Sequence, residues 1–206
     1  MSVTSTLGGI MKYRKIMRSA LVLGGLALSG AALAMPSGEM LGNTCAGCHG
    51  TNGNTQGPGT PGIAGISTEY FVDAMKAYQD GSRFGTVMNR IAKGYTEEEI
   101  HAMAKYFAAQ KYRPLPQKAD AKLARLGKQL HERSCAKCHE EGGSVSEDSA
   151  ILAGQPMQYL QWTFDDFNNS RREMPKKMKT KMQEVHKAKG DEGYKALVNF
   201  YGDRAK

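Results

Sequence analysis

The sequence predicts an all-α protein made of two tandem domains. Three observations carry that expectation. No stretch alternates polar and apolar residues with period two. Apolar residues recur instead at spacings of three and four, as in Leu123, Leu126 and Leu130. And one pattern runs through the chain twice, its two copies beginning 90 residues apart at Cys45 and Cys135. Two copies of so long a period indicate tandem domains and not a stacked solenoid.

Residues 1–34 stand apart from that fold. Lys12, Arg14, Lys15 and Arg18 form a basic segment, and an uncharged apolar run from Ser19 to Ala34 ends in Ala32-Leu33-Ala34. Small residues at −3 and −1 fit signal-peptidase cleavage before Met35. The run would rise only about 24 Å as a helix, short of the roughly 30 Å of a bilayer core. A cleaved secretory signal is therefore expected, in preference to an uncleaved anchor, and with it a periplasmic location without stable membrane insertion. Of the 28 basic and 20 acidic residues in the chain, the leader carries four basic and no acidic ones, so the rest is only +4. That balance offers no broad basic stripe for nucleic acid.

The first domain is expected over 35–115. A short helix leads into Cys45-Ala46-Gly47-Cys48-His49, and a glycine-rich loop follows from Gly50 to Gly65. Further helices come next. In the last of them Thr96 caps the start, Glu99 completes a capping box, and Ile100, Met103, Ala104 and Phe107 form one apolar stripe. Lys111-Tyr112-Arg113-Pro114-Leu115-Pro116 then ends the helical pattern, because a proline pair discourages its continuation.

The second domain is expected over 116–206. It repeats the order with Cys135-Ala136-Lys137-Cys138-His139. Pro61-Gly62-Ile63-Ala64-Gly65 is echoed by Ala150-Ile151-Leu152-Ala153-Gly154, Tyr70 by Tyr159, Tyr78 by Phe167, and Arg83 by Arg172. The final stripe returns as Tyr194, Leu197, Val198 and Tyr201. A domain of this size buries a marginal core and gains from a staple.

The four cysteines supply the chemistry. Exported Cys-x-x-Cys pairs can form disulfides or redox couples, and two pairs can hold zinc. The histidine directly after the second cysteine, present in both copies, separates these readings. Cys-x-x-Cys-His is the haem c attachment signature, with two thiols for the vinyl groups and an imidazole for the iron. Two covalently bound haems c are expected, through Cys45 and Cys48 with His49, and through Cys135 and Cys138 with His139.

The sixth iron position can be open, or filled by His or by Met. Both halves place a methionine shortly after the Arg83/Arg172 turn: Met88, 39 residues after His49, and Met174, 35 residues after His139. These are the expected ligands. Met178 and Met182 compete in the second half, but their spacing of four, continuing to Val185, suits an apolar helix face. His101, His131 and His186 have no counterparts in the other half and are expected to be solvated. His/Met ligation raises the potential and leaves O₂ or peroxide no open position, which argues for outer-sphere electron transfer. The chain is not expected to be catalytic by itself.

The halves differ in charge. The first carries seven basic and seven acidic residues, the second 17 and 13. The excess concentrates in an insertion containing Lys176, Lys177, Lys179, Lys181, Lys187 and Lys189. Such a run is either a solvated helix face or a docking patch for an acidic redox partner.

With these features in place, the chain resembles the di-haem cytochrome subunit of flavocytochrome c sulfide dehydrogenase. The likeness spans the chain after the leader, in stretches such as Cys45-Ala-Gly-Cys-His-Gly-Thr, Arg90-Ile-Ala-Lys-Gly-Tyr95 and Ile151-Leu-Ala-Gly-Gln155. It extends to Arg171–Met178 and to the Glu141-Gly-Gly tail of the second motif. The resemblance implies two class I cytochrome c domains related by pseudo-twofold symmetry, with Met88 and Met174 as sixth ligands. It also implies docking to a separate FAD-containing flavoprotein that oxidises sulfide, and delivery of electrons to a downstream redox protein; FAD is expected only on that partner. Free-standing soluble di-haem cytochromes that feed terminal oxidases share much of the pattern and are the alternative. A di-haem peroxidase is the contrasting class. One departure stands out: class I domains often orient the haem histidine through a proline carbonyl, which Pro61 could provide, whereas the second half has Ala150 at that position.

Overall fold

The computed structural model describes residues 35–145 and 149–204. The leader and its predicted cleavage point lie outside the described residues. Residues 37–206 form one compact unit. Within the first half run α1 (Gly38–Asn43), α2 (Ala46–His49), α3 (Thr68–Asp80), α4 (Met88–Ile91) and α5 (Glu97–Ala108). The second half holds α6 (Ala121–Ser134), α7 (Glu140–Gly143), α8 (Met157–Asn168) and α9 (Lys176–Asp203). No strand occurs among the described residues, only a single antiparallel bridge between Arg83 and Arg172. Nor is any described helix long and apolar enough to cross a membrane.

Local chemistry starts these helices where the sequence places the signals. Ser67 accepts the Tyr70 N–H and opens α3. Thr96 and Glu99 form the reciprocal capping box of α5, with bonds of 3.3 and 2.9 Å. The Asp120 carboxylate accepts the N–H groups of Lys122 and Leu123 at 2.8 and 2.9 Å and opens α6. Each cap satisfies donors that the first helical turn would otherwise leave unpaired.

In each half the first helix crosses the last. Helix α1 packs on α5, and α6 packs on α9. Glycine makes both crossings possible: a methyl group at Gly38 would overlap the Ala102 carbonyl, and one at Gly127 the Ala196 carbonyl. The crossings cover two cores. The first contains Leu41, Phe71, Val72, Met75, Ile100, Met103 and Phe107; the second contains Leu130, Leu160, Phe164, Met182, Val185, Leu197 and Tyr201. Each large apolar side chain so buried stabilises its half by about 1.5–3 kcal/mol. Helix α9 is kinked at Gly190 (φ 57°, ψ −147°). The arm after the kink repeats α5, while the arm before it is the lysine-bearing insertion, buried through Met182 and Val185.

The halves meet along a seam with matching partners on both sides. Arg83 donates to the Tyr159 hydroxyl at 3.4 Å and lies over the Tyr78 ring. Its counterpart Arg172 donates to the Tyr70 hydroxyl at 3.0 Å and lies over the Phe167 ring. Burial works against the Arg83 charge, but the phenols of Tyr159, Tyr70 and Tyr78 hold its guanidinium above its ordinary pKa. Gln155 adds a two-way bond: its side chain accepts the Gly62 N–H and donates to the Gly62 carbonyl, both at 2.9 Å. Ile151, from the second half, is buried in the first core. The linker is anchored too, since the Leu115 N–H donates to the Gly154 carbonyl at 2.9 Å.

Candidate functional site

In the first half, Cys45 begins a single helical turn. His49 N–H bonds back to the Cys45 carbonyl at 2.9 Å, and Cys48 N–H to the same oxygen at 3.2 Å. That turn sets Cys45 and Cys48 three residues apart on one face, with His49 beside them. Cys45 is half-buried against the first core, and Cys48 is exposed. Burial pushes the Cys45 thiol up, with Thr44 opposing and Cys48 adding to the effect.

His49 Nδ1 lies 2.8 Å from the Pro61 carbonyl oxygen. A carbonyl can only accept, so Nδ1 carries the proton and the Nε2 lone pair is left for a metal. Burial holds this imidazole below its ordinary pKa, with the Pro61 bond opposing. Neutral imidazole is the ligating form. Met88 opens α4 and packs, half-buried, on the same core as Cys45. Asn89 pins the approach to it: its side chain accepts the Gly85 N–H at 2.7 Å and donates to the carbonyls of Tyr78 and Arg83 at 2.7 and 3.0 Å.

The second half repeats the turn with Cys135, Cys138 and His139. Cys135 is half-buried and Cys138 exposed, and Cys135 packs on the second core together with Met174 and Met178. Following each motif, one carbonyl fastens the loop. Gly53 accepts from Ile63 and Ala64, and Gly143 accepts from Leu152 and Ala153. The second loop is one residue shorter and has Ala150 where the first has Pro61. The buried His139 Nδ1 has no hydrogen-bond partner among the described residues. Burial, then the nearby His131, lowers its pKa. Met174 is followed by Pro175, whose fixed φ of −52° opens α9. Each half thus holds two thiols, an imidazole and a methionine sulfur against one core, residue types that fit a covalently held haem.

One expectation is corrected. His131 is not solvated; it is 4% exposed, between Phe200 and Tyr201. Position explains this, since it follows Leu130 on the face of α6 that turns toward α9. His101 and His186 are exposed, as expected, and lie near Glu97 and Asp191 at 3.8 and 3.7 Å. Sequence reasoning did not single out Asn89 or Gln155. The only signal for Asn89 was a carboxamide directly after a matched methionine. For Gln155 it was a polar residue directly after the Ala-Gly echo, where a loop must face its neighbour.

Residues 37–111 match the cytochrome c family, and residues 122–200 match the cytochrome c oxidase, cbb3-type, subunit III family. The chain is 54% identical over 70 residues to the cytochrome subunit of sulfide dehydrogenase from Chlorobaculum tepidum, covering 34% of this chain and 63% of that protein. It therefore spans less than two thirds of that relative's length. To cytochrome c-554(548) of Halomonas halodenitrificans it is 38% identical over 77 residues, covering 36% of this chain and 93% of that protein. Among solved structures it resembles cytochrome c4 of Acidithiobacillus ferrooxidans, with a TM-score of 0.65 and 27% identity, covering 78% of this chain and 99% of that one.

Proposed function

The chain belongs to the cytochrome c family as a di-haem class I member, and on that premise we propose that it is the electron-transfer subunit of a periplasmic sulfide dehydrogenase. It accepts electrons from an FAD-containing subunit and passes them to a downstream redox protein. The observation that carries the sulfide assignment is the 54% identity to the Chlorobaculum subunit. On this reading the domains span 35–115 and 116–206, each with one covalent haem c.

Each haem, when bound, supplies a one-electron Fe(III)/Fe(II) couple. Cys45 and Cys48, and Cys135 and Cys138, hold the group to the chain. His49 and His139 would be the imidazole ligands, and in the first half the bond from Nδ1 to the Pro61 carbonyl leaves Nε2 as the free nitrogen. Met88 and Met174 would provide the soft sulfur ligand, which would favour Fe(II). Asn89 in one half and Pro175 in the other fix where those methionines sit. The cores behind the cysteines exclude water from one side of each site. The exposed lysines before Gly190 form the docking face for an acidic acceptor.

The test is a pull-down from native periplasm, followed by a flavin spectrum and a sulfide-dependent reduction assay. A tight flavoprotein partner and reduction by sulfide are expected. A monodisperse cytochrome that sulfide plus the periplasmic fraction leaves oxidised overturns the assignment. That outcome would favour the second reading, a free-standing carrier to a terminal oxidase, which is supported by the 99% coverage of the cytochrome c4 chain.

A further inference from the structure

The second half buries a polar pair where the first half has hydrocarbon. His131 stands four residues before Cys135, as Leu41 stands before Cys45, and Tyr201 matches Phe107. His131 Nδ1 lies 3.1 Å from the Tyr201 hydroxyl. Tyr201 also belongs to the buried core on which Cys135 packs, so the polar pair sits in the core behind a sulfur that holds the haem. His131 also lines an open cleft with Lys128, Glu132, Glu141 and Arg204. Leucine and phenylalanine fill the equivalent space in the first half, so packing alone does not call for an imidazole and a phenol, whose burial is costly unless both are partnered.

We propose that His131 is a proton-accepting site coupled to the electron held at the second haem. The inference rests on the reading that Cys135 and Cys138 carry a haem. As that iron passes from Fe(III) to Fe(II) with one electron from an external one-electron donor, the local positive charge falls by one and the imidazole takes one proton through the cleft. Oxidation reverses both changes. The proton comes from solvent hydronium, so one N–H bond forms as one O–H bond breaks and neutral water is left.

The groups that face His131 set the range. Helix α9 presents Tyr201 and its cap presents Arg204, α6 presents Lys128 and Glu132, and α7 presents Glu141, with His139 within electrostatic range. Burial first, then Arg204, holds the imidazole below its ordinary value of 6.5, while Glu132 opposes. His131 is thus neutral at neutral pH, and the exchange falls on the acid side. Lower pH eases reduction of the second haem, by up to about tenfold in the reduced-to-oxidised ratio per pH unit, the limit for one proton per electron. The first haem, backed by Leu41, lacks this linkage.

The experiment is a spectropotentiometric titration of the full holoprotein between neutral pH and roughly pH 5, after pyridine haemochrome has counted its haems. One reduction step should follow pH, and His131→Leu should flatten that step while leaving the other unchanged. Should that variant not load its second haem, Tyr201→Phe and an NMR titration of the His131 imidazole in each redox state take its place. An imidazole that titrates higher in the reduced protein supports the proposal. Two haems with steps that respond equally to pH in wild type and His131→Leu, or an imidazole indifferent to redox state, overturn it. A count of one haem would instead overturn the reading on which it rests.

Discussion

In the first half His49 gives its Nδ1–H to the Pro61 carbonyl at 2.8 Å, and Leu41 and Phe107 are buried in the core behind the cysteines. In the second half the His139 Nδ1 meets no acceptor among the described residues, and His131 and Tyr201 take the places of the two hydrocarbons. Asn89 secures the turn at Met88 through three hydrogen bonds, whereas Pro175 does so at Met174 through a fixed φ. The proposed donors are the same in both halves. What duplication left free to vary was the layer that holds them, and that layer is where the two sites can acquire different behaviour.

The coarsest way to break the comparison is to remove one attachment site at a time. Cys45→Ser with Cys48→Ser, or Cys135→Ser with Cys138→Ser, should each cut the pyridine haemochrome yield from two haems to one; an unchanged yield excludes attachment there. A methyl group at either glycine crossing comes next. Gly127→Ala and Gly38→Ala should each destabilise the protein by about 1–3 kcal/mol in denaturant unfolding, as overpacking does. Equal losses would show that the two crossings bear equal weight. Charge then separates the halves: replacing Lys176, Lys177 and Lys179 by Glu should slow reduction of an acidic partner about tenfold at low salt and flatten its dependence on ionic strength. A wild-type rate already insensitive to salt would leave those lysines as a solvated face. Smallest is Ala150→Pro, which brings the second loop toward the first. If the proline carbonyl captures the His139 Nδ1–H, the second haem should become a few-fold harder to reduce, because a more basic imidazole favours Fe(III).

Much of this was legible without coordinates, for identifiable reasons. The capping box at Thr96 and Glu99 and the stripe Ile100, Met103, Ala104 and Phe107 depend on residues within a turn or two of one another. The two attachment motifs are likewise local, and repetition set them apart from chance. His131 was misread because its neighbours Phe200 and Tyr201 lie about 70 residues away, and no periodicity in α6 alone says which side a lone histidine faces. Arg83 and Arg172 served as landmarks of the duplication, yet their role as the seam was missed. Two matched arginines next to matched aromatics were the available signal, but only the fold brings each to the opposite half.

The Arg83–Tyr159 and Arg172–Tyr70 contacts carry one more consequence. Each half presents the same patch to the other, so the joint has the logic of a twofold homodimer written into one polypeptide. A half produced alone would expose a surface complementary to itself, and self-association is its natural outcome. The linker at Pro114–Pro116 then acts less as a spacer than as a means of ensuring that unlike halves, and not like ones, find each other first.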